Sequence, residues 1–424
     1  MPTPTAAPRR VLLVAYYYPP LNIIGARRPY ALAKWLRRRG HDVTVLTSVQ
    51  SGRGPDDGAS RVVRARDLLA TRLNWRGSAS LAAATGASDD AWDPNPGLWG
   101  SIFVPDVQAI SWAPFAVEAA CRLHRRHRFD VVVTTSPVES VHAVGVALRR
   151  RGVPWVADMR DGWRFEAPRP DWPLALQRRV DDRLERAALR RADEIVIVTE
   201  PLADDLRARL DLPVDVITNG FDPDDEAAAR GAAAPTTPGK LTLAHTGGLG
   251  PRQTLRPLLE ALAQLGDEDP TVRDRVELVL VGQTTHDQRA LYAHPRYAPF
   301  IRCEGFVPRP VALALQRTAD LLVLVTSGVR RGEATGKLFE YLAAGRPILA
   351  FGEGNAAAQI VRGAEAGEVV AVDDPDGAAR VVRRLLDGTL PRPPPGARDA
   401  YAYPALAARY EQVLERAIAR AGRR

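Results

Sequence analysis

Between Gly332 and Ala350 the chain reads GEATGKLFEYLAAGRPILA, which sets Lys337 and Glu340 three residues apart at the start of a helical pattern. That spacing places both side chains on one face of a first turn. A helix start presents unpaired N–H groups and the positive end of the peptide dipoles, so a lysine beside it suits an anion, phosphate above all. A carboxylate one turn further in can accept charge-assisted hydrogen bonds from two neighbouring hydroxyls. Phosphate plus diol is the chemistry of a nucleotide, while a helical Lys–Glu pair with no ligand is the plainer alternative. The glycines do not form a P-loop: three residues rather than four separate Gly332 from Gly336, and Leu338 follows the lysine where Ser or Thr is needed.

The elements that must position these residues are legible as two α/β series. In the first, strand-like runs VLLVAYYY, HDVTVLT, DVVVTTS, PWVADM, EIVIVT and VDVIT are separated by helical runs such as RPYALAKWLRRRG and DRLERAALRRA. Continuous Val/Ile runs without alternation predict strands buried on both faces, hence a parallel sheet covered by helices. A second series, LTLAHTGG, VELVLVG, IRCEGF, LLVLVTS and RPILAFG, follows DDEAAARGAAAPTTPGK, which lacks an apolar face and reads as a linker. The expected fold is α/β, two Rossmann-like domains facing across a cleft: 1–222, a linker 223–240, 241–390, and a C-terminal helix within 391–424 that caps one domain or packs back on the first. Ligands of such sheets bind beyond the carboxyl ends of the strands. The stretch Ser51 to Gly100, with Trp75, Trp92 and Trp99, shows little periodicity and reads either as a partly ordered acceptor-side excursion or as a bare linker.

The 424 residues, 46% hydrophobic and 25% charged, have an ordinary globular composition. Cys121 and Cys303 fit no metal or redox spacing, which suggests a reducing compartment. The apolar run after Arg9 and Arg10 reads as a buried strand entering a loop rather than a leader, because Pro19-Pro20 interrupts it. No other run has the length of a membrane span, so a cytoplasmic protein is expected. Of the +8 net charge, residues 1 to 220 carry 32 Lys and Arg against 25 Asp and Glu, or +7. The basic clusters WLRRR and CRLHRRHR end two helices, where cations suit the dipole. The same clusters could also draw the chain to anionic lipid or a phosphate-bearing acceptor. The balanced second half and the lack of an RNA-binding aromatic motif argue against nucleic acid. The acidic runs DPDD (222–225) and DDPD (373–376) read as solvated turns, so no metal site is expected.

In order along the chain, YYYPPLNIIGARRPYALAKWLRRRGHDVTVLTS, VADMRDGW, VITNGFDPDD, AHTGGLG, CEGFVPRP and TGKLFEYLAAGRPILA resemble the GT-B glycosyltransferases, specifically the retaining enzymes of family 4. The resemblance implies that Glu340 holds the donor ribose. It also implies that Thr335, Gly336, Lys337 and Leu338 form the turn around the donor diphosphate, and that Gly248 and Arg252 lie at its phosphate loop. Gly25 matches the loop that closes on the phosphates in the first domain, and Phe306 and Val307 match the segment whose backbone touches the base. Asp161 and His142 match the first-domain side of the catalytic site, with Arg252 and Lys337 stabilising the leaving group. Six residues separate Glu333 from Glu340, one fewer than in the common form of the family's paired glutamates, so no role is carried to Glu333.

The activity so implied is transfer of a sugar, of the hexosyl type, from a nucleoside-diphosphate sugar, UDP by preference, to a hydroxyl acceptor with retention, without metal or other cofactor. Polysaccharide, glycolipid and natural-product biosynthesis are the contexts it implies. The acceptor could be lipid-linked, with peripheral contact at the inner face of the membrane. Competing readings are a nucleotide-sugar epimerase of the same fold and a non-catalytic basic protein that binds membrane or nucleic acid.

Overall fold

The computed structural model describes residues 7–21, 23–52, 61–69, 102–169, 171–250 and 252–423. They divide into two compact units, one built from residues up to Thr218 together with Tyr403 onward, the other from Asn219–Ala402.

The first unit holds a seven-stranded sheet: β1 (Arg10–Ala15), β2 (Asp42–Ser48), β3 (Arg61–Ala65), β4 (Val131–Thr135), β5 (Trp155–Met159), β6 (Glu194–Ile197) and β7 (Asp215–Val216). The spatial order is β3-β2-β1-β4-β5-β6-β7 and every pairing is parallel, with Val11 opposite Val43 on one side and Val131 on the other. β4 and β5 are buried along their whole length, as strands covered by helices on both faces must be. Trp112, Trp155, Val144 and Leu148 fill one face. On the other, Ala31, Leu32 and Leu36 of the Ile24–Arg38 helix pack with Leu406, Tyr410, Val413 and Leu414 of the Tyr403–Ala421 helix. Glu411 of the C-terminal helix is buried and accepts from Arg39 and from His41 Nε2 at 3.0 Å. One arginine of the WLRRR cluster is therefore a buried structural cation, and Arg38 lies over the Trp35 ring at 4.5 Å.

The second unit holds β8 (Leu241–Thr246), β9 (Val276–Val281), β10 (Ile301–Gly305), β11 (Leu321–Val325), β12 (Ile348–Phe351) and β13 (Gly367–Val370), in the order β10-β9-β8-β11-β12-β13, again all parallel. The strand order reverses between β8 and β11, and in the first unit between β1 and β4. Such switch points leave a crevice outside the carboxyl ends of the two strands.

Residues 223–240 are built into the second unit rather than forming a linker. The Asp222 carboxylate accepts from the Asp224 amide at 3.1 Å and starts a short helix, Pro223–Ala228. Thr237 donates its N–H and hydroxyl to the two oxygens of Glu277, at 2.7 and 2.6 Å. The segment has no apolar stripe because polar contacts fasten it. Residues 391–402 also belong to the second unit, where Arg398 pairs with Glu226 at 3.0 Å and Phe221 bridges Ala402. Within Ser51–Gly100 the described part supplies the edge strand β3; Trp75, Trp92 and Trp99 lie outside the described residues. Among the described residues no helix is long and apolar enough to cross a membrane.

Candidate active site

In the second unit the loops leaving β8 and β11 flank the switch point, and the helix Gly336–Ala344 starts beside them. Thr335 precedes it in extended conformation, and Gly345, at φ +65°, ends it. Leu338, Phe339, Tyr341 and Leu342 point into the core, which fixes the rotation of the helix and leaves Lys337 and Glu340 on its other sides. Leu338 is thus a core residue, fully buried, and does not present its side chain to a ligand.

Lys337 Nζ donates to the Gly248 carbonyl at 3.3 Å and lies 3.2 Å from His245 Nε2. The other ring nitrogen of His245 lies 2.9 Å from the Val323 carbonyl, which can only accept, so Nδ1 carries the proton and Nε2 accepts from the ammonium. Burial, and next the Lys337 charge, hold the His245 pKa well below its ordinary value. Gly247 has φ +91°, and a Cβ there would lie 3.0 Å from Lys337 Cε, so the loop lies directly against the lysine. His245 was not singled out from the sequence; its signal was the one ionisable residue in β8, LTLAHT.

The Thr335 hydroxyl is buried and has no hydrogen-bond partner among the described residues. Arg252 is exposed and forms no hydrogen bond or ion pair among them. Glu333 accepts from the Ser327 amide at 2.9 Å and from its hydroxyl, and from Gln253 Nε2 at 3.2 Å. Gln253 Oε1 in turn accepts from the Gly250 amide at 2.9 Å. Glu333 therefore ties together the two loops that flank the helix start.

Glu340 accepts from Arg309 Nη1 at 2.6 Å and from Gln316 Nε2 at 3.2 Å. Arg309 extends to Asp225 at 2.8 Å, and Gln316 to the Thr246 hydroxyl at 2.8 Å. Phe306 is exposed beyond β10, and Val307 packs partly against the core.

In the first unit, Gly25 sits in the first turn of the Ile24–Arg38 helix, where a Cβ would approach Tyr17 to 3.2 Å and Arg160 Nη1 to 3.6 Å. Asp161 follows Arg160, is half-buried, and forms no hydrogen bond or ion pair among the described residues. His142 stacks on Trp163, ring centroids 5.8 Å apart, and its Nδ1 lies 2.8 Å from the Thr134 hydroxyl. It is buried, which lowers its pKa to about 4, so the ring is neutral at neutral pH and its Nε2 has no partner among the described residues. Sequence reading passed over Glu139, three residues earlier. Burial and then neighbouring Asp106 push its pKa up to about 8.

Residues 25–220 match the family model of a glycosyl transferase 4-like domain, and residues 240–388 that of glycosyl transferases group 1. The chain belongs to the GT-B glycosyltransferases, with one such domain following the other. A 2-deoxystreptamine glucosyltransferase of Streptomyces kanamyceticus is 26% identical over 305 residues, covering 66% of this chain and 74% of its own. Two solved structures share the fold: a sucrose-phosphate synthase from Thermosynechococcus elongatus, 16% identical with a TM-score of 0.62 over 96% of this chain and 98% of its own, and a glycosyltransferase from Rickettsia africae, 13% identical with a TM-score of 0.62 over 97% and 99%.

His245 gives a test of how Lys337 is held. We expect His245→Leu, which removes the acceptor for the ammonium, to lower kcat about 10-fold or more, the worth of one hydrogen bond to a charged group. His245→Gln, which keeps both an acceptor and a donor, should recover most of it. Because His245 is neutral throughout, initial rates from about pH 6 to 8 should show the same profile in wild type and His245→Gln. A wild-type limb near the ordinary histidine pKa that disappears in His245→Gln would contradict the assignment.

Proposed function

We propose that this glycosyltransferase takes a hexose from a nucleoside-diphosphate sugar, UDP first among the carriers, and transfers it to a hydroxyl acceptor with retention of configuration. The observation that carries the reading is Lys337, held by His245 and Gly248 at a helix start where the Thr335 hydroxyl is buried without a partner. A diphosphate would complete that group: the first-turn amides and Thr335 donate, and Lys337 supplies a fixed charge. Glu340, held by Arg309 and Gln316, would accept the two ribose hydroxyls.

As the glycosidic bond breaks, negative charge grows on the leaving diphosphate, and Lys337, Arg252 and the helix dipole stabilise it more than the ground state. In a retaining reaction of this kind the acceptor hydroxyl enters on the face the diphosphate leaves. The first unit supplies the acceptor side, with Gly25 against Arg160 and with Asp161 half-exposed next to it. The relative from Streptomyces kanamyceticus is named for glucosyl transfer to 2-deoxystreptamine, which supports a polyhydroxylated small-molecule acceptor in natural-product biosynthesis.

A thermal-shift panel of UDP, GDP, ADP, dTDP and CMP without added metal tests the donor reading, since a ligand of the native state raises Tm by mass action. One diphosphate, UDP by expectation, should raise Tm. Glu340→Ala should weaken that nucleotide by about 1 to 3 kcal/mol, the range for lost charged hydrogen bonds. Unchanged affinity in the variant would remove the ribose assignment, and no shift with any nucleotide would remove the donor reading. Formation of an epimerised nucleotide sugar in the absence of acceptor would replace transfer by epimerisation.

A further inference from the structure

The helix Ala175–Leu189 in the first unit reverses the usual polarity of a surface helix. Its inward face carries Asp181 and Glu185, 1% and 0% exposed, and the protein satisfies both. Asp181 accepts from the indoles of Trp163 and Trp172 at 2.9 and 3.0 Å and from Arg169. Glu185 forms a two-bond pair with Arg209, at 2.8 and 3.0 Å. Outward, Leu176, Val180 and Leu184 recur every four residues and form one exposed stripe, with Leu176 66% exposed. Leu174, 62% exposed, continues the stripe past the helix start, and Gln177 holds the carbonyl of exposed Ile102 beside it at 3.2 Å.

Arg179, Arg183 and Arg190 run alongside the stripe, are exposed, and form no ion pair among the described residues. The two acids of the helix that face inward are used up, and the third, Asp182, pairs with Arg164 and Arg186. The outward face thus combines large apolar side chains with cations and has no carboxylate of its own. Isolated exposed leucines need no explanation, but a row of them does.

We infer that this face docks the protein on an anionic bilayer surface. Apolar side chains entering the headgroup boundary next to arginines that meet acidic headgroups is the chemistry of an interfacial helix lying flat. A second copy of the chain fits less well, because a symmetric contact would bring the two arginine rows together. The inference does not depend on the donor reading, and lipid binding is measured without nucleotide.

The test is co-sedimentation of the full chain with vesicles of phosphatidylcholine alone and of phosphatidylcholine mixed with phosphatidylglycerol. The expected result is binding to the mixed vesicles only, weakened by salt through screening. Arg179→Glu with Arg183→Glu should lower the partition coefficient on the order of 30-fold or more, since each arginine near such a surface contributes about a factor of five. Leu176→Asp with Val180→Asp should abolish sedimentation with the mixed vesicles. Both pairs are exposed, so circular dichroism and the melting temperature should match wild type. Leu184→Ser, a milder change on the same stripe, should give a partial loss. Wild type that stays in the supernatant, or variants that sediment as wild type does, would overturn the inference. A wild-type dimer in sedimentation velocity that Leu176→Asp converts to monomer would assign the face to a second copy instead.

Discussion

Lys337→Ala should lower kcat by about 10²- to 10³-fold, the usual effect of deleting one fixed donor aimed at developing charge. The ammonium is held in place before substrate arrives, by His245 at 3.2 Å and the Gly248 carbonyl at 3.3 Å, so little reorganisation is left for the reaction itself. A group that acts on charge appearing only in the transition state lowers kcat and kcat/KM together, and initial-rate kinetics against the donor should show that pattern. Lys337→Arg should not rescue the rate. The planar guanidinium needs a wider channel than an ammonium, and the Gly247 backbone lies against the lysine stem. The helix itself should persist, since its packing rests on Leu338, Phe339, Tyr341 and Leu342. A Lys337→Ala enzyme within about threefold of wild-type kcat would show that the cation does not act on the leaving group, because even a weak charged hydrogen bond is worth more than that.

Much of this arrangement was readable in the sequence, for a physical reason: strands buried on both faces are mostly apolar without alternation, as in DVVVTTS, PWVADM, VELVLVG and LLVLVTS, where the few polar residues, such as Asp158 and Glu277, find partners inside the protein. The strands missed, β3 (RVVRA) and β13 (GEVV), are edge strands with a charged residue among their few positions and only partial burial. The helix Pro223–Ala228 escaped because ion pairs, rather than an apolar stripe, hold it. Lys337 was found because a lysine at a helix start between two glycines has a local signature. Its partner His245 comes from another strand, and the Glu340 partners Arg309 and Gln316 come from another helix, so no local pattern links them. The inward side chain of Leu338 was legible from periodicity: with Tyr341 and Leu342 it forms an i, i+3, i+4 core pattern, which leaves only its backbone to the turn beside Lys337. The reversed helix Ala175–Leu189 shows the opposite hazard. Its Leu176, Val180 and Leu184 spacing looks like a core stripe, and only the indoles and Arg209 that meet Asp181 and Glu185 reveal which face is inside.

The largest stability effect is expected at Asp158→Ala. Asp158 and Arg28 are 0% and 4% exposed, and their two-bond pair, at 2.7 and 3.1 Å, crosses from β5 to the Ile24–Arg38 helix. Asp158 also accepts from the Thr135 hydroxyl at 2.6 Å, while Arg28 donates to the carbonyls of Ile217 and Thr218 at 3.0 and 2.7 Å. Removing the carboxylate leaves a buried guanidinium without its counter-charge, which costs about 3 to 5 kcal/mol, a large share of the roughly 5 to 15 that stabilise a domain. Trp35, Trp112, Trp155, Trp163 and Trp172 lie in the first unit, and the sequence of the second, from Asn219 to Ala402, contains no tryptophan, so tryptophan fluorescence follows the first unit. Urea unfolding followed by fluorescence should therefore shift by about 1 to 3 M at typical slopes. Replacing both partners, as in Arg28→Met with Asp158→Leu, should recover much of the loss, because the unpaired charge is gone. Burial pushes the Asp158 pKa up, but Arg28 and the hydrogen bonds outweigh it, and the folded pKa lies below the ordinary value. The stabilisation that the ionised carboxylate provides is then complete above the unfolded pKa of about 3.9 and is lost as pH falls through the folded one. The gap between wild type and Asp158→Asn should be widest at neutral pH and close in acid. A gap of constant size across that range, or a fluorescence midpoint for Asp158→Ala equal to that of wild type, would mean that the pair does not hold the first unit together.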